Sequence, residues 1–234
     1  MRKFDYSFLK RISVPADIMN YATSIYEMKA KAELRRSDFA EVFSAMESVA
    51  KIQSVKSSNA IEGIITTDKR IRDIVNKSTV PQGHNELEIA GYRDALDLIH
   101  SSYSDIPFSE KSILELHRML LQPSGDDLAG KYKTEDNFII ETDREGVRSV
   151  RFTTVPASET AFAMEQLILA YHAAYLEAEI NPLMLIPCVI LDLLCIHPFR
   201  NVNGRMSRLL SLLLMYKSGF NAGKYVSIEE QINT

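Results

Sequence analysis

The sequence predicts an all-α protein carrying one small β-hairpin. Three observations lead there. Apolar residues recur at helical spacing through most of the chain. Two of its most apolar runs, 183–196 (LMLIPCVILDLLCI) and 209–215 (LLSLLLM), flank a single polar dozen and are good helix material. Only around 136–154 does the pattern change to β-prone segments separated by a turn.

Composition bounds the answer. With 234 residues, of which 46% are hydrophobic and 25% charged, one ordinary domain with a real core is expected. A net charge of −4 gives no basis for nucleic-acid binding. Cys188 and Cys195 are too far apart along one helix for a disulfide and read as packed free thiols, which fits a reducing compartment. The N-terminus is too polar for a signal peptide, and 183–196 is too short to span a membrane and contains Pro187 and Asp192. A cytoplasmic protein without membrane attachment is the expectation.

The elements follow in order. Helices are expected over 15–35, with Pro15 in the first turn, and over 37–62, with Ser37 as N-cap. In the second, Phe39, Val42, Phe43, Met46, Val49, Ala50 and Ile52 form a stripe expected to pack on the domain. It ends with Gly63 as C′ residue, preceded by Glu62, whose carboxylate opposes the helix dipole by roughly 0.3–1 kcal/mol. A short helix over 67–77 precedes a Pro81-Gln-Gly83 break. A longer one over 85–102 sets Leu87, Ala90, Gly91, Ala95, Leu98 and Ile99 on one side. Ser109 caps a helix running to Leu121. After a loop over 123–130, residues 137–141 and 147–154 read as strands around a 142–146 turn. Helices over 157–179 and from Asn181-Pro182 follow, and a last short one begins near Ser227. His84, His100, His117 and His172 read as surface or packed residues and receive no role. The N-terminal helices (1–66) are expected to precede a core domain (67–234).

The polar dozen, His197-Pro-Phe-Arg-Asn-Val-Asn-Gly-Arg-Met-Ser-Arg208, suits an anion site. Pro198 stops the first buried helix, and His197 lies at its carbonyl end, where a proton is welcome. Asn203 is expected to cap the second helix, whose first turns carry Arg205 and Arg208 on one face. A helix N-terminus reinforced by two arginines is a ready phosphate site, and a nearby histidine can serve as its base.

This stretch resembles the Fic family motif H-x-F-x-(D/E)-G-N-G-R-x-x-R, matched at His197, Phe199, Asn203, Gly204, Arg205 and Arg208. Asn201 replaces the acidic residue and Val202 the first glycine. Upstream, Ser58, Glu62 and Gly63 are similar to the family's inhibitory (S/T)-x-x-x-E-(G/N) motif, and Gly130-Lys-Tyr-Lys133 to the G-x-Y-(R/K) that leads into its flap. The resemblance spans roughly residues 40–230. Many relatives with this kind of N-terminus continue into a winged-helix domain, for which no room is expected here. The resemblance also suggests a bacterial source.

The resemblance implies AMPylation, the transfer of AMP from ATP to a hydroxyl of a target protein aligned on the hairpin flap. His197 would be the base. Asn203, Gly204 and neighbouring N–H groups would hold the phosphates, and Arg205 and Arg208 the β- and γ-phosphates. Mg²⁺ would accompany ATP, with Asn201 as a weak substitute for the carboxylate ligand. Glu62 would pair bidentately with Arg208 and obstruct the γ-phosphate position. Asn201 lacks the ligand charge, and Val202 would be strained at φ > 0, so an impaired transferase is expected. The alternatives are a degenerate Fic protein that binds nucleotide or a partner without turnover, and a related enzyme that removes AMP or transfers phosphate. The target and a two-fold homodimer stay open.

Overall fold

The computed structural model describes residues 4–143 and 145–233. Its elements run α1 (Ala16–Arg35), α2 (Ala40–Ile61), α3 (Asp68–Val75), α4 (Gly83–Ser102), α5 (Glu110–Leu121), β1 (Phe138–Thr142), β2 (Arg148–Thr153), α6 (Ala157–Leu176), α7 (Pro182–Ile196), α8 (Asn203–Lys217) and α9 (Ile228–Ile232). The expected class holds: helices throughout and a single antiparallel hairpin among the described residues.

Local chemistry sets most boundaries. Ser109 Oγ accepts the Ser112 N–H at the start of α5, Asn181 Oδ1 accepts the Leu183 N–H before α7, and Ser227 Oγ accepts the Glu230 N–H before α9. Gly63 ends α2 at φ +76°, as a C′ glycine should. The Ser37 cap fails: α2 begins at Ala40 after Phe39, and Ser37 lies in the turn before it without capping any helix.

The core lies between α4, α5, α6, α7 and α8, with Tyr92, Leu96, Ile99, Leu116, Leu120, Met164, Leu167, Val189, Ile196, Leu209 and Leu213 all buried. Gly91 lets α4 touch α5, since a Cβ there would strike the Leu120 carbonyl.

The N-terminal helices depart from expectation. Of the α2 stripe, Ala50 is buried and Phe43 and Ile52 are half-buried, but Phe39, Val42, Met46 and Val49 are exposed. The buried face of α2 lies further along and is polar: Ser54, Ser57, Ser58 and Asn59 accompany Val55. Ser54, Ser58 and Asn59 bond to charged groups on α8 and α9, so apolar periodicity could not find them. α1 buries no residue. It is held by the Tyr26 ring against Phe220 at 5.1 Å and by Lys29 over the same ring at 4.9 Å.

The segment after α8 also fastens α2. Phe43 meets Tyr225 edge-on, Gln53 donates to Glu230 at 3.1 Å, and Ser54 donates to the buried Glu229 at 2.8 Å. No helix among the described residues is long and apolar enough to cross a membrane.

Candidate active site between α7 and α8

The α7–α8 connection is built as a rigid loop. Asn203, expected as an N-cap, is instead the first residue of α8, and Val202 occupies the cap position. The Asn203 side chain turns back into the loop: Oδ1 accepts the Phe199 N–H at 3.0 Å and Nδ2 donates to the Phe199 carbonyl at 2.7 Å. Its amide is therefore committed to holding the loop and is not turned towards a ligand. The anion-binding capacity lies in the first-turn N–H groups of α8, which have no intrahelical acceptor.

Val202 has φ +62° and ψ 15°, the left-handed region where a β-branched residue is strained, as foreseen from its replacing a glycine. It is also buried. Asn201 is exposed. Among the described residues no group of three His, Cys, Asp or Glu side chains could hold a metal ion. One neutral amide oxygen does not fit a resident Mg²⁺ site, since that ion relies on carboxylates or substrate phosphates.

His197 caps α7 in a left-handed conformation, φ 52° and ψ 60°. Its position at a helix carbonyl end suggested a stabilised proton, but the balance runs the other way. Burial lowers its pKa and outweighs the Leu194 carbonyl, which raises it; Lys133 nearby lowers it further, against an opposing pull from Glu62. The imidazole is neutral at neutral pH, the form a base requires.

Ser58 and Glu62 meet the 197–208 stretch. Arg208 Nε donates to Ser58 Oγ at 2.8 Å, and its Nη2 donates to the Ser58 carbonyl at 2.9 Å and to Glu62 Oε1 at 2.8 Å. The expected bidentate Arg208–Glu62 pair is thus replaced by a shared arrangement with a single carboxylate contact, Ser58 taking Nε and sharing Nη2 with Glu62. Glu62 lies directly over the start of α8, where a Cβ on Gly204 would collide with its Oε1. Glycine at 204 is what lets a carboxylate occupy this helix N-terminus.

Arg205 goes elsewhere. It is 4% exposed, pairs with Glu88 of α4 and donates to Asn59 Oδ1 at 3.3 Å. Glu88 Oε1 also lies 2.6 Å from His84 Nε2. In this arrangement Arg205 joins α8 to α2 and α4, and only Arg208 of the two arginines stands beside Glu62.

Two groups in the site escaped sequence reasoning. His117 stacks on Phe199 at 3.8 Å between centroids and 8° between planes, and its Nδ1 accepts the Gly130 N–H at 3.0 Å. Burial lowers its pKa to about 4 despite the opposing Asp126 charge and the Asn201 carbonyl. Lys133, 4% exposed, reaches the α7 end together with Asn137 and Thr154. No spacing rule connects positions 117, 133 and 137 to the dozen at 197–208. The one available signal was the G-x-Y-(R/K) pattern ending at Lys133.

The hairpin lies beside the loop. Asn137 just before β1 donates to the Phe199 carbonyl at 3.0 Å. The strands pair Phe138 with Thr153 through Thr142 with Arg148, with an irregularity between Ile139 and Ile140. Phe138, Ile140, Val150 and Phe152 are exposed. Arg144 of the turn lies outside the described residues.

A helical protein that presents a histidine and an arginine-bearing helix N-terminus under a short hairpin has known counterparts. The fold matches a Fic family protein from Desulfovibrio desulfuricans with TM-score 0.78 at 17% identity, covering 95% of this chain and 64% of that one. It matches a Fic domain containing signaling protein from Bacteroides thetaiotaomicron with TM-score 0.71 at 22% identity, covering 83% and 73%. Residues 107–215 match the Fic/DOC family model, and the chain belongs to that family. Among curated relatives, it is 28% identical over 181 residues to protein adenylyltransferase Fic of Nematostella vectensis, spanning 73% of this chain and 39% of that protein. It is 30% identical over 171 residues to protein adenylyltransferase fic-1 of Caenorhabditis elegans, spanning 69% of this chain and 31% of that one. The chain therefore spans only about a third of the length of these relatives.

Proposed function

We propose that this protein is a Fic-type protein adenylyltransferase restrained by Glu62. The observation that carries the reading is the Glu62 carboxylate lying against Gly204 at the start of α8 and bonded to Arg208, beside a half-buried neutral histidine. A carboxylate at that place occupies the site a phosphate would take. The names of the two curated relatives support the same class of reaction.

In this reading ATP enters when Glu62 swings away and releases Arg208 for the γ-phosphate. The first-turn N–H groups of Asn203, Gly204 and Arg205 hold phosphate oxygens where negative charge grows in the transition state. The target hydroxyl oxygen forms a bond to the α-phosphorus as the bond to the pyrophosphate oxygen breaks. The neutral His197 imidazole takes the hydroxyl proton. Pyrophosphate leaves with the electron pair. Arg205 keeps its hold on Glu88 and Asn59 and steadies α8. Any Mg²⁺ would be held mainly by the nucleotide's own phosphates, with the Asn201 amide as the one neutral oxygen this loop could add. The target segment lies along the exposed hairpin, adding a strand to its open edge.

A second reading, a Fic protein that binds nucleotide without turnover, is favoured by the strained Val202 and by Asn201 in the acidic position. Intact-mass measurement separates the two. The protein, its Glu62→Gly variant and the Glu62→Gly/His197→Ala double variant are each incubated with MgATP. AMP adducts on the Glu62→Gly protein alone support the transferase. Unmodified protein in all three, with nucleotide bound, supports the second reading.

A further inference from the structure

His197 holds a backbone conformation that non-glycine residues rarely adopt, φ 52° and ψ 60°. Such a residue persists only where its surroundings fix it from several sides. The carbonyls of Ile196, His197, Pro198 and Phe199 are all approached by two residues from the segment leading into the hairpin. Lys133 Nζ donates to the Ile196 carbonyl at 3.2 Å, and the Lys133 N–H donates to that of Pro198 at 2.9 Å. Asn137 Nδ2 donates to the Phe199 carbonyl at 3.0 Å and reaches that of His197 at 3.5 Å.

The ammonium deserves an account of its own burial. Removing a cation from water is costly unless its hydrogens are all engaged. Lys133 has three, and three oxygens receive them: Asn137 Oδ1 at 2.7 Å, Thr154 Oγ1 at 2.9 Å and the Ile196 carbonyl. The last belongs to the C-terminal end of α7, where a positive charge is favoured. Thr154 in turn donates to Asn137 at 2.6–2.7 Å. Asn137 stands immediately before β1 and Thr154 immediately after β2, so this knot closes the root of the hairpin.

We infer that Lys133, with Asn137 and Thr154, positions the His197 main chain and couples it to the root of the hairpin. The knot touches no reacting atom; it acts through His197. The inference rests on His197 being the base proposed above. It gives the hairpin a second task besides aligning a target: any tilt of its root is passed to the carbonyls on both sides of His197.

The test uses the full chain carrying Glu62→Gly, with Lys133→Met, Lys133→Arg, Asn137→Asp and Thr154→Val added singly. AMP transfer gives kcat and KM for ATP, and NMR of ¹³C-labelled imidazole follows the His197 titration without nucleotide. A misplaced base lowers kcat by about 100-fold for Lys133→Met and Asn137→Asp while KM for ATP changes by less than about two-fold. Lys133→Arg keeps the charge and donors and restores most of the rate. Lys133→Met also raises the His197 pKa, since a neighbouring cation is gone. Unchanged kcat and an unchanged His197 titration in folded variants would overturn the inference. If Lys133→Met does not fold, the isosteric Asn137→Asp and Thr154→Val decide it on the same readouts. If the Glu62→Gly parent transfers no AMP, the transferase reading fails by itself. The His197 titration then still decides through Thr154→Val, which alters no charge: moved, it supports the knot; unmoved, it refutes it.

Discussion

Val202 sits at φ +62° while nearly enclosed by core residues, and the two facts oppose each other. A left-handed conformation costs a β-branched residue about 1–2 kcal/mol, and burying valine contributes about 1.5 kcal/mol or more. Replacing it tests which matters. Val202→Ala loses most of the burial and keeps the strain, whereas Val202→Gly loses the burial and sheds the strain. The expected result reverses the usual order: in thermal melts Val202→Gly is at least as stable as Val202→Ala. Asn201→Asp, at the same loop, adds the charge that a magnesium-bearing nucleotide favours. Calorimetric titration should find MgATP binding to Glu62→Gly/Asn201→Asp about tenfold tighter than to Glu62→Gly, the effect of one added ligand charge at roughly 1.4 kcal/mol. No gain in affinity would mean that position 201 does not reach the metal.

At the scale of elements, the helix that carries Glu62 is secured by the last one. Glu229 of α9 is buried and accepts from Ser54 of α2 at 2.8 Å, Tyr92 of α4 at 3.0 Å and Ser227 at 3.3 Å. Three hydroxyls around one carboxylate make it a joint between α2, α4 and α9. Tyr92 feels the consequence: burial raises its pKa well above the ordinary phenol value and the Glu229 charge raises it further, against Ser58 and Arg208. Glu229→Ala leaves buried hydroxyls unsatisfied and is expected to destabilise the fold by about 2–4 kcal/mol in denaturant unfolding. Because the joint lies on the same helix as Glu62, hydrogen exchange of α2 amides should quicken more than that of α7 amides. Equal acceleration in both helices would show that α9 secures the whole fold and not α2 in particular.

For the whole molecule, acid sensitivity is set by imidazoles that burial keeps neutral. Burial lowers His100 and His117 each to about 4, the nearby Lys224 adding to the first. A base with a lowered folded pKa binds fewer protons than it does unfolded, so the stability it permits is complete above 6.5 and declines as pH falls towards 4. Each contributes up to about 1.4 kcal/mol per pH unit within that window. His197 acts in the same direction. Glu86, lowered to about 2 chiefly by its hydrogen bond from Arg70, adds a further loss below 4.5. Melting temperatures should therefore hold from pH 8 to pH 7 and fall from pH 6.5 downwards. His100→Gln and His117→Gln should each flatten the slope above pH 4.5. A flat profile between pH 6.5 and 5 would mean that neither imidazole is held neutral.

Read alone, the sequence determined the class of fold, nearly every helix and the hairpin, because those follow from local signals: apolar period, capping serines, and glycines where the chain must turn. It also marked the dozen residues of the α7–α8 connection and the glutamate that lies against it, because both lie in short contiguous patterns. Tertiary structure decided what each residue does there. Asn203 was legible as a helix-start residue, but its amide is taken by the Phe199 backbone. Arg205 and Arg208 share a helix face in sequence, yet Glu88 draws one inward while Glu62 and Ser58 hold the other. The polar face of α2 was invisible because its partners, Arg205, Arg208 and Glu229, are more than 140 positions away in the chain. The contacts of His117 and Lys133 with the α7–α8 loop were likewise decided by the fold, although the G-x-Y-(R/K) pattern had marked Lys133. Local patterns report what a segment needs from its neighbours in sequence; the protonation and bonding of a buried polar group depend on what the fold places against it.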